Sequence, residues 1–131
     1  MAEREVSIIK VRNVLLATIP SSPSDRTIDS LQDSILTRMA EVHPQGVIMD
    51  ISLVDIVDSF FARTIEETAE MISLMGGKTI VAGIQPAVAV TAMELGLRFG
   101  QVETALNVER ALDALSEKNS SSLPDQKNGA K

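Results

Sequence analysis

Residues 47–75 read V-I-M-D-I-S-L-V-D-I-V-D-S-F-F-A-R-T-I-E-E-T-A-E-M-I-S-L-M. The stretch opens on an apolar run, Val47 to Ile51, of the length and composition of a buried strand. A short acidic loop carrying Asp55 and Asp58 follows, and from Ser59 the pattern changes period. Phe61, Ile65, Ala69, Ile72 and Met75 recur at steps of three and four, which is one face of a helix. Gly76-Gly77 supplies the stop, because glycine takes the left-handed conformation that a helix C-terminus often needs. Strand, loop and helix in this order place Ser59 at the expected N-cap, beyond the carboxyl end of a strand, where open α/β sheets gather their functional groups. A serine has a structural use there. Its oxygen accepts a bond from an unsatisfied backbone N–H and stabilises the helix by about 1 kcal/mol.

Upstream, Glu5–Val11 carries Val6, Ile8, Ile9 and Val11 and reads as a first strand. Arg12-Asn13 makes a tight turn into Val14–Ile19, which is apolar on both faces and so more central in its sheet. Strand follows strand without an intervening helix, so the two pair as an antiparallel hairpin. Pro20-Ser21-Ser22-Pro23 is a loop, and Ser24 or Asp25 caps the next helix. Ile28, Leu31, Ile35, Met39 and Val42 have helical spacing, and Pro44 forbids continuation. Downstream, Lys78–Ile84 is a strand, and Gln85-Pro86 opens a helix with proline in the first turn, where its missing N–H costs nothing. Pro86, Val90, Met93 and Leu97 are expected on the inner face of that helix, with Gly100 ending it. Val102–Leu106 is a short last strand, and Asn107 caps a final helix through Val108, Ala111, Leu112 and Leu115. Beyond residue 118 the composition shifts to a polar, aperiodic run, so residues 1–118 form one domain and 119–131 are expected to be a disordered tail.

Composition narrows the classes. At 131 residues with 44% apolar residues, one domain is long enough to bury about two thirds of the surface its unfolded form exposes. The chain has no cysteine, which excludes disulfides, zinc thiolates and thiol catalysis and fits a cytoplasmic location. M-A-E-R-E-V lacks the basic start and apolar core of a signal peptide. No apolar run approaches the roughly 20 residues that span a bilayer, so no membrane association is expected. A formal net charge of −6 opposes phosphate-backbone binding, and with three aromatic residues the chain has no stacking platform, so nucleic acid is not an expected partner.

Catalytic constellations are missing. The single histidine, His43, stands at a helix end before Pro44 and reads as a solvated or C-capping residue. Ser59 lacks the G-x-S-x-G elbow of hydrolases, and no H-E-x-x-H, G-x-x-x-x-G-K or G-x-G-x-x-G occurs. Asp50 lies near a strand end like a phosphorylated aspartate, but the acidic pair and the lysine that such a site needs are absent from the neighbouring strand ends. It reads as a structural acid bonded to nearby backbone. Asp55, Asp58, Glu66, Glu67 and Glu70 read as a solvated helix start and face rather than a metal cage. No cofactor, metal or enzymatic activity is expected.

The stretch D-I-S-L-V-D-I-V-D-S-F resembles the D-x-S-x-V-x-x-x-D-S-x core of STAS domains, the anti-anti-sigma-factor family. A second segment, T-I-V-A-G-I-Q-P-A-V-A-V-T-A-M-E-L-G, is similar to the small single-domain type of the bacterial stressosome (the RsbS type). The likeness covers roughly residues 5 to 116. It implies an α/β fold of the STAS type, a mixed central β-sheet with an N-terminal β-hairpin and about four helices, mainly on one face. It also implies a non-enzymatic scaffold and antagonist that sequesters a switch serine/threonine kinase until phosphorylated on Ser59, with a cognate phosphatase resetting the system. Longer STAS-domain sensor paralogues and self-association into a large assembly belong to the same expectation. Residue by residue, Ser59 carries over as phosphoacceptor and Asp58 as its motif neighbour, with Asp58, Asp55 and Phe60 assigned to partner recognition. The alternative is a constitutive scaffold in which Ser59 only caps its helix.

Overall fold

In the computed structural model, residues 6–96 and 102–121 are described, the last five of these by backbone only. The hairpin forms first in the chain: β1 (Ser7–Val11) pairs antiparallel with β2 (Val14–Thr18), Val11 opposite Val14. Arg12 and Asn13 both take positive φ, 51° and 66°, as the two central residues of a primed turn must for its twist to match the strands. Three strand–helix–strand units follow: α1 (Asp25–Val42) leads to β3 (Gly46–Asp50), α2 (Ser59–Leu74) to β4 (Lys78–Ala82), and α3 (Pro86–Glu94) to β5 (Glu103–Ala105). The sheet order is β1-β2-β3-β4-β5, with every pair after the hairpin parallel.

A strand order that advances monotonically through crossovers of one hand puts all the crossover helices on one face. Accordingly, residues of α1 and α2, with Val88 of α3, share a core with Leu15, Ala17, Val47, Met49 and Val81. Among the described residues no strand follows β5, and α4 (Val108–Ser121) folds across the opposite face, where Ala111 and Leu115 cover Val14, Ile48, Ile80 and Ala82. Helices mainly on one face are therefore observed, with α4 the exception. Each of β2, β3 and β4 feeds alternate side chains into two cores, which is why their sequences show apolar runs without alternation.

The helix boundaries follow local chemistry. Ser24 caps α1, its Oγ accepting from Thr27 N at 3.1 Å. His43 ends it at φ 48°, its N–H donating to Met39 O. Gly76, at φ 93°, terminates α2 as expected. The inner face of α3 differs from the sequence reading. Val88 and Ala92 are its buried residues, whereas Pro86, Val90 and Met93 are exposed. Nearly every residue of this helix is apolar, so periodicity could not choose a face. The helix ends at Glu94; Leu97 and Gly100 lie outside the described residues, as does the chain beyond Ser121.

Among the described residues one buried side-chain hydroxyl is unsatisfied. Thr79 is buried, and its Oγ1 has no hydrogen-bond partner. By contrast Thr68, also buried, donates to Thr64 O at 2.7 Å and accepts from Gln32 Nε2 at 3.0 Å, a polar tie between α1 and α2. Because a buried hydroxyl without a partner keeps its desolvation cost, Thr79→Val should stabilise the protein by about 1 kcal/mol. The check is a higher urea midpoint at unchanged slope.

Candidate functional site

The loop between β3 and α2 is pinned by its own sequence. Ile51, Val54 and Val57 point into the core at steps of three and are buried, which turns Ser52, Leu53, Asp55, Ile56 and Asp58 outward. Asp50 behaves as the structural acid expected of it, its Oδ1 accepting from Ser52 N at 3.0 Å. A backbone turn closes behind it, Val54 N donating to Ile51 O at 3.0 Å. From the neighbouring β4–α3 junction, Gln85 Nε2 donates to Ser52 O at 2.8 Å. Gly83, at φ 79°, approaches so closely that a Cβ there would lie 2.8 Å from Ser52 Cβ.

At the end of this loop the structure corrects the sequence reading by one residue. Asp58, in extended conformation at φ −115° and ψ 179°, is the N-cap of α2. Its Oδ1 accepts from Phe61 N at 2.9 Å, and Ala62 N donates to its carbonyl at 3.1 Å. Aspartate and serine are both good caps, and adjacent in sequence either would serve. Val57 decides between them: with its side chain locked in the core, the extended residue that starts the helix is Asp58. Ser59 becomes the first helical residue, exposed and without a hydrogen-bonded hydroxyl among the described residues.

The remaining expected recognition residues separate. Asp55 is exposed on the same loop as Asp58, but Phe60 is half-buried against the core that α1 and α2 share. Two residues that sequence reasoning did not single out are exposed on the loop leading to the serine: Leu53 and Ile56, the latter 77% exposed. The alternation of apolar and acidic residues in L-V-D-I-V-D gives no sign of which apolar positions face outward. Ile56, Asp58 and Phe61 form one wall of a groove of about 180 Å³ whose other wall is Ser21, Ser22, Pro23, Asp25 and Ile28. Both charged residues lining it are carboxylates. Among the described residues no cluster of three His, Asp or Glu side chains is placed to hold a metal ion, and no helix is long and apolar enough to cross a membrane.

Removal of the cap separates its role from that of its neighbour. Asp58→Ala should destabilise the protein by about 1 kcal/mol, and Asp58→Asn, which keeps the accepting oxygen, by only a few tenths. Thermal denaturation of the two variants tests this.

An exposed Asp-Ser pair at the start of the second helix, on a sheet of this order, defines a class. Residues 5–111 match the STAS domain, and the chain belongs to that family. Within the family its likeness is to the stressosome proteins of the RsbS type. It is 32% identical to an RsbS variant from Moorella thermoacetica, with a TM-score of 0.78, covering 92% of this chain and 100% of that one. A chain from the structure of the stressosome, described as a signal integration and transduction hub, is 30% identical at a TM-score of 0.73, covering 86% and 98%. The RsbT co-antagonist protein RsbRA of Bacillus subtilis is 29% identical over 103 residues, 79% of this chain. This chain spans 36% of RsbRA's length, so the likeness is to one part of a longer protein.

Proposed function

We propose that this protein is a non-enzymatic, phosphorylation-switched component of a stressosome-type assembly, holding a partner serine kinase until Ser59 is phosphorylated. The observation that carries this reading is the division of labour at the start of α2. Asp58 does the capping, which leaves the Ser59 hydroxyl exposed and free of structural duty. The alternative in which Ser59 serves as the helix cap has no structural basis, because the cap bond is made by its neighbour.

The electrostatics favour a switch that leaves the fold intact. A phosphoserine adds about −1.5 to −2 charges and three acceptor oxygens. At the first helical position it meets the positive end of the helix dipole and orphan N–H groups, which offset about 0.3–1 kcal/mol of the charge's cost or somewhat more. The same charge beside the Asp58 carboxylate changes the surface that a partner meets. A loss of about 2.8 kcal/mol in binding weakens a partner a hundredfold. The kinase supplies ATP, metal and catalytic base; the STAS chain supplies the acceptor and its presentation. Longer STAS paralogues, of which the RsbR proteins are the similar ones, share the assembly, and a phosphatase resets it.

The test is intact mass after mixing the protein with the switch kinase of the same organism and ATP, with kinase binding followed by size-exclusion chromatography. One phosphate, mapped to Ser59 and accompanied by release of the kinase, is the expected result. Binding without phosphate transfer would instead assign a constitutive scaffold.

A further inference from the structure

Charge along the loop and helix around Ser59 is one-sided. The stretch carries Asp55, Asp58, Glu66, Glu67 and Glu70, and between Arg38 and Lys78 the sequence holds a single lysine or arginine, Arg63. Arg63 stands four residues after Ser59 within α2, so the two occupy successive turns of one helix face, with about 5–6 Å between their Cβ atoms. Both are exposed. Among the described residues the Arg63 guanidinium makes no ion pair and no hydrogen bond.

The acids that follow Arg63 do not account for it. Glu66 and Glu67 lie three and four residues further on, but a base followed by an acid is the weaker order for a helical pair. Helical side chains lean toward the N-terminus, so an arginine covers the turn before its own. For Arg63 that turn carries Ser59. An anion at residue 59 followed by a cation at residue 63 is the stronger order, and a phosphoserine supplies the anion. Its phosphate needs such a partner, because the adjacent Asp58 adds a carboxylate and already accepts from Phe61 N at 2.9 Å. A guanidinium offers phosphate oxygens two parallel N–H donors.

We propose that Arg63 is the internal clamp of the phosphorylated state, its guanidinium donating to the phosphate on Ser59 and drawing it along α2. The inference rests on Ser59 as phosphoacceptor and deepens that reading. In the unmodified protein the guanidinium is open to a kinase; once Ser59 carries phosphate it is occupied. Phosphorylation then changes the surface twice, adding an anion and withdrawing a cation.

The test uses the full chain with phosphoserine built in at position 59 during translation, so that it does not depend on the kinase. Phosphorus NMR follows the second ionisation of the phosphate, which lies near pH 6 for phosphoserine. A guanidinium in contact favours the dianion, so the wild-type phosphate should titrate about 0.3 of a pH unit below that of Arg63→Gln, with Arg63→Lys between them. The Arg63 Nε–H proton should move downfield on phosphorylation, a signature of contact that a distant charge does not give. Arg26 is the rival cation, in the first turn of α1 beside the Asp25 that lies across the groove from Asp58. Arg26→Gln should titrate as wild type does, and circular dichroism checks that every variant is folded. Equal titration of wild type and Arg63→Gln, an unmoved Nε–H proton, or a larger shift from Arg26→Gln would each overturn the proposal. Should the clamp be found while the switch kinase transfers no phosphate to the unmodified chain, Arg63 stands as the phosphate's partner and the switch falls. Transfer to Ser59 with no effect of Arg63→Gln on the titration keeps the switch and removes the clamp.

Discussion

Ser59→Ala should accept no phosphate from the switch kinase, while its unfolding free energy stays within about 0.5 kcal/mol of wild type. Both halves follow from the start of α2. The variant removes the one hydroxyl at the first helical position, and it removes no hydrogen bond, because Asp58 Oδ1 holds Phe61 N. Kinase capture should persist, giving a form that binds but does not release. Ser59→Asp should do the reverse: it places a carboxylate at the positive end of the helix, which the fold accepts at a gain of about 0.3–1 kcal/mol, and it should weaken the kinase. Intact mass, urea denaturation and size-exclusion binding on the three proteins check these outcomes together. A Ser59→Ala protein that takes up phosphate at the wild-type rate would remove Ser59 from the mechanism. A large loss of stability in the same variant would mean that the serine, not Asp58, caps the helix.

Gly83→Ala should destabilise the protein by about 2–5 kcal/mol and slow phosphate transfer to Ser59, although residue 83 is on a different segment of the chain. Two costs combine. At φ 79° an L-residue is in the left-handed region, at about 1–2 kcal/mol. The added Cβ also lies 2.8 Å from Ser52 Cβ and 3.1 Å from Ser52 Cα, so backbone must move, at a further cost of about 1–3 kcal/mol for overpacking. Ser52 lies near the start of the loop that carries Asp55 and Asp58 and leads into Ser59, and the displacement is passed along it. Gly76→Ala is the control, with φ 93° but nothing within 4 Å of the added carbon. It should show the conformational cost alone and leave phosphate transfer unchanged. Equal destabilisation by the two variants would contradict the close approach at Ser52.

Both outcomes also show how much of the site was legible in the sequence. The Asp58-Ser59 pair, the helix behind it and the loop before it were readable from local pattern. The division of roles within the pair was not, since two neighbouring residues are both competent caps and the choice depends on where Val57 is anchored. Asp55 is exposed as expected, but Phe60 is half-buried, because the first turn of α2 lies close against the core. Leu53 and Ile56 were missed for the complementary reason: apolar residues are assigned inward by default, and the three-residue spacing of Ile51, Val54 and Val57 turns these two out.

For the fold as a whole, sequence by itself determined the elements, their order, the hairpin and the stops of α1 and α2, because strand period, helix period and turn residues are local properties of the chain; the stop of α3, expected at Gly100, falls instead at Glu94. It also carried the STAS resemblance, which resides in short motifs. Only the tertiary structure decided which face of α3 is buried, that α4 crosses to the other side of the sheet, and that Asp58 rather than Ser59 caps α2. The physical reason is the same in each case. Where local preferences are degenerate, as in a uniformly apolar helix or a pair of adjacent caps, the outcome is set by which arrangement lets distant side chains fill the two cores.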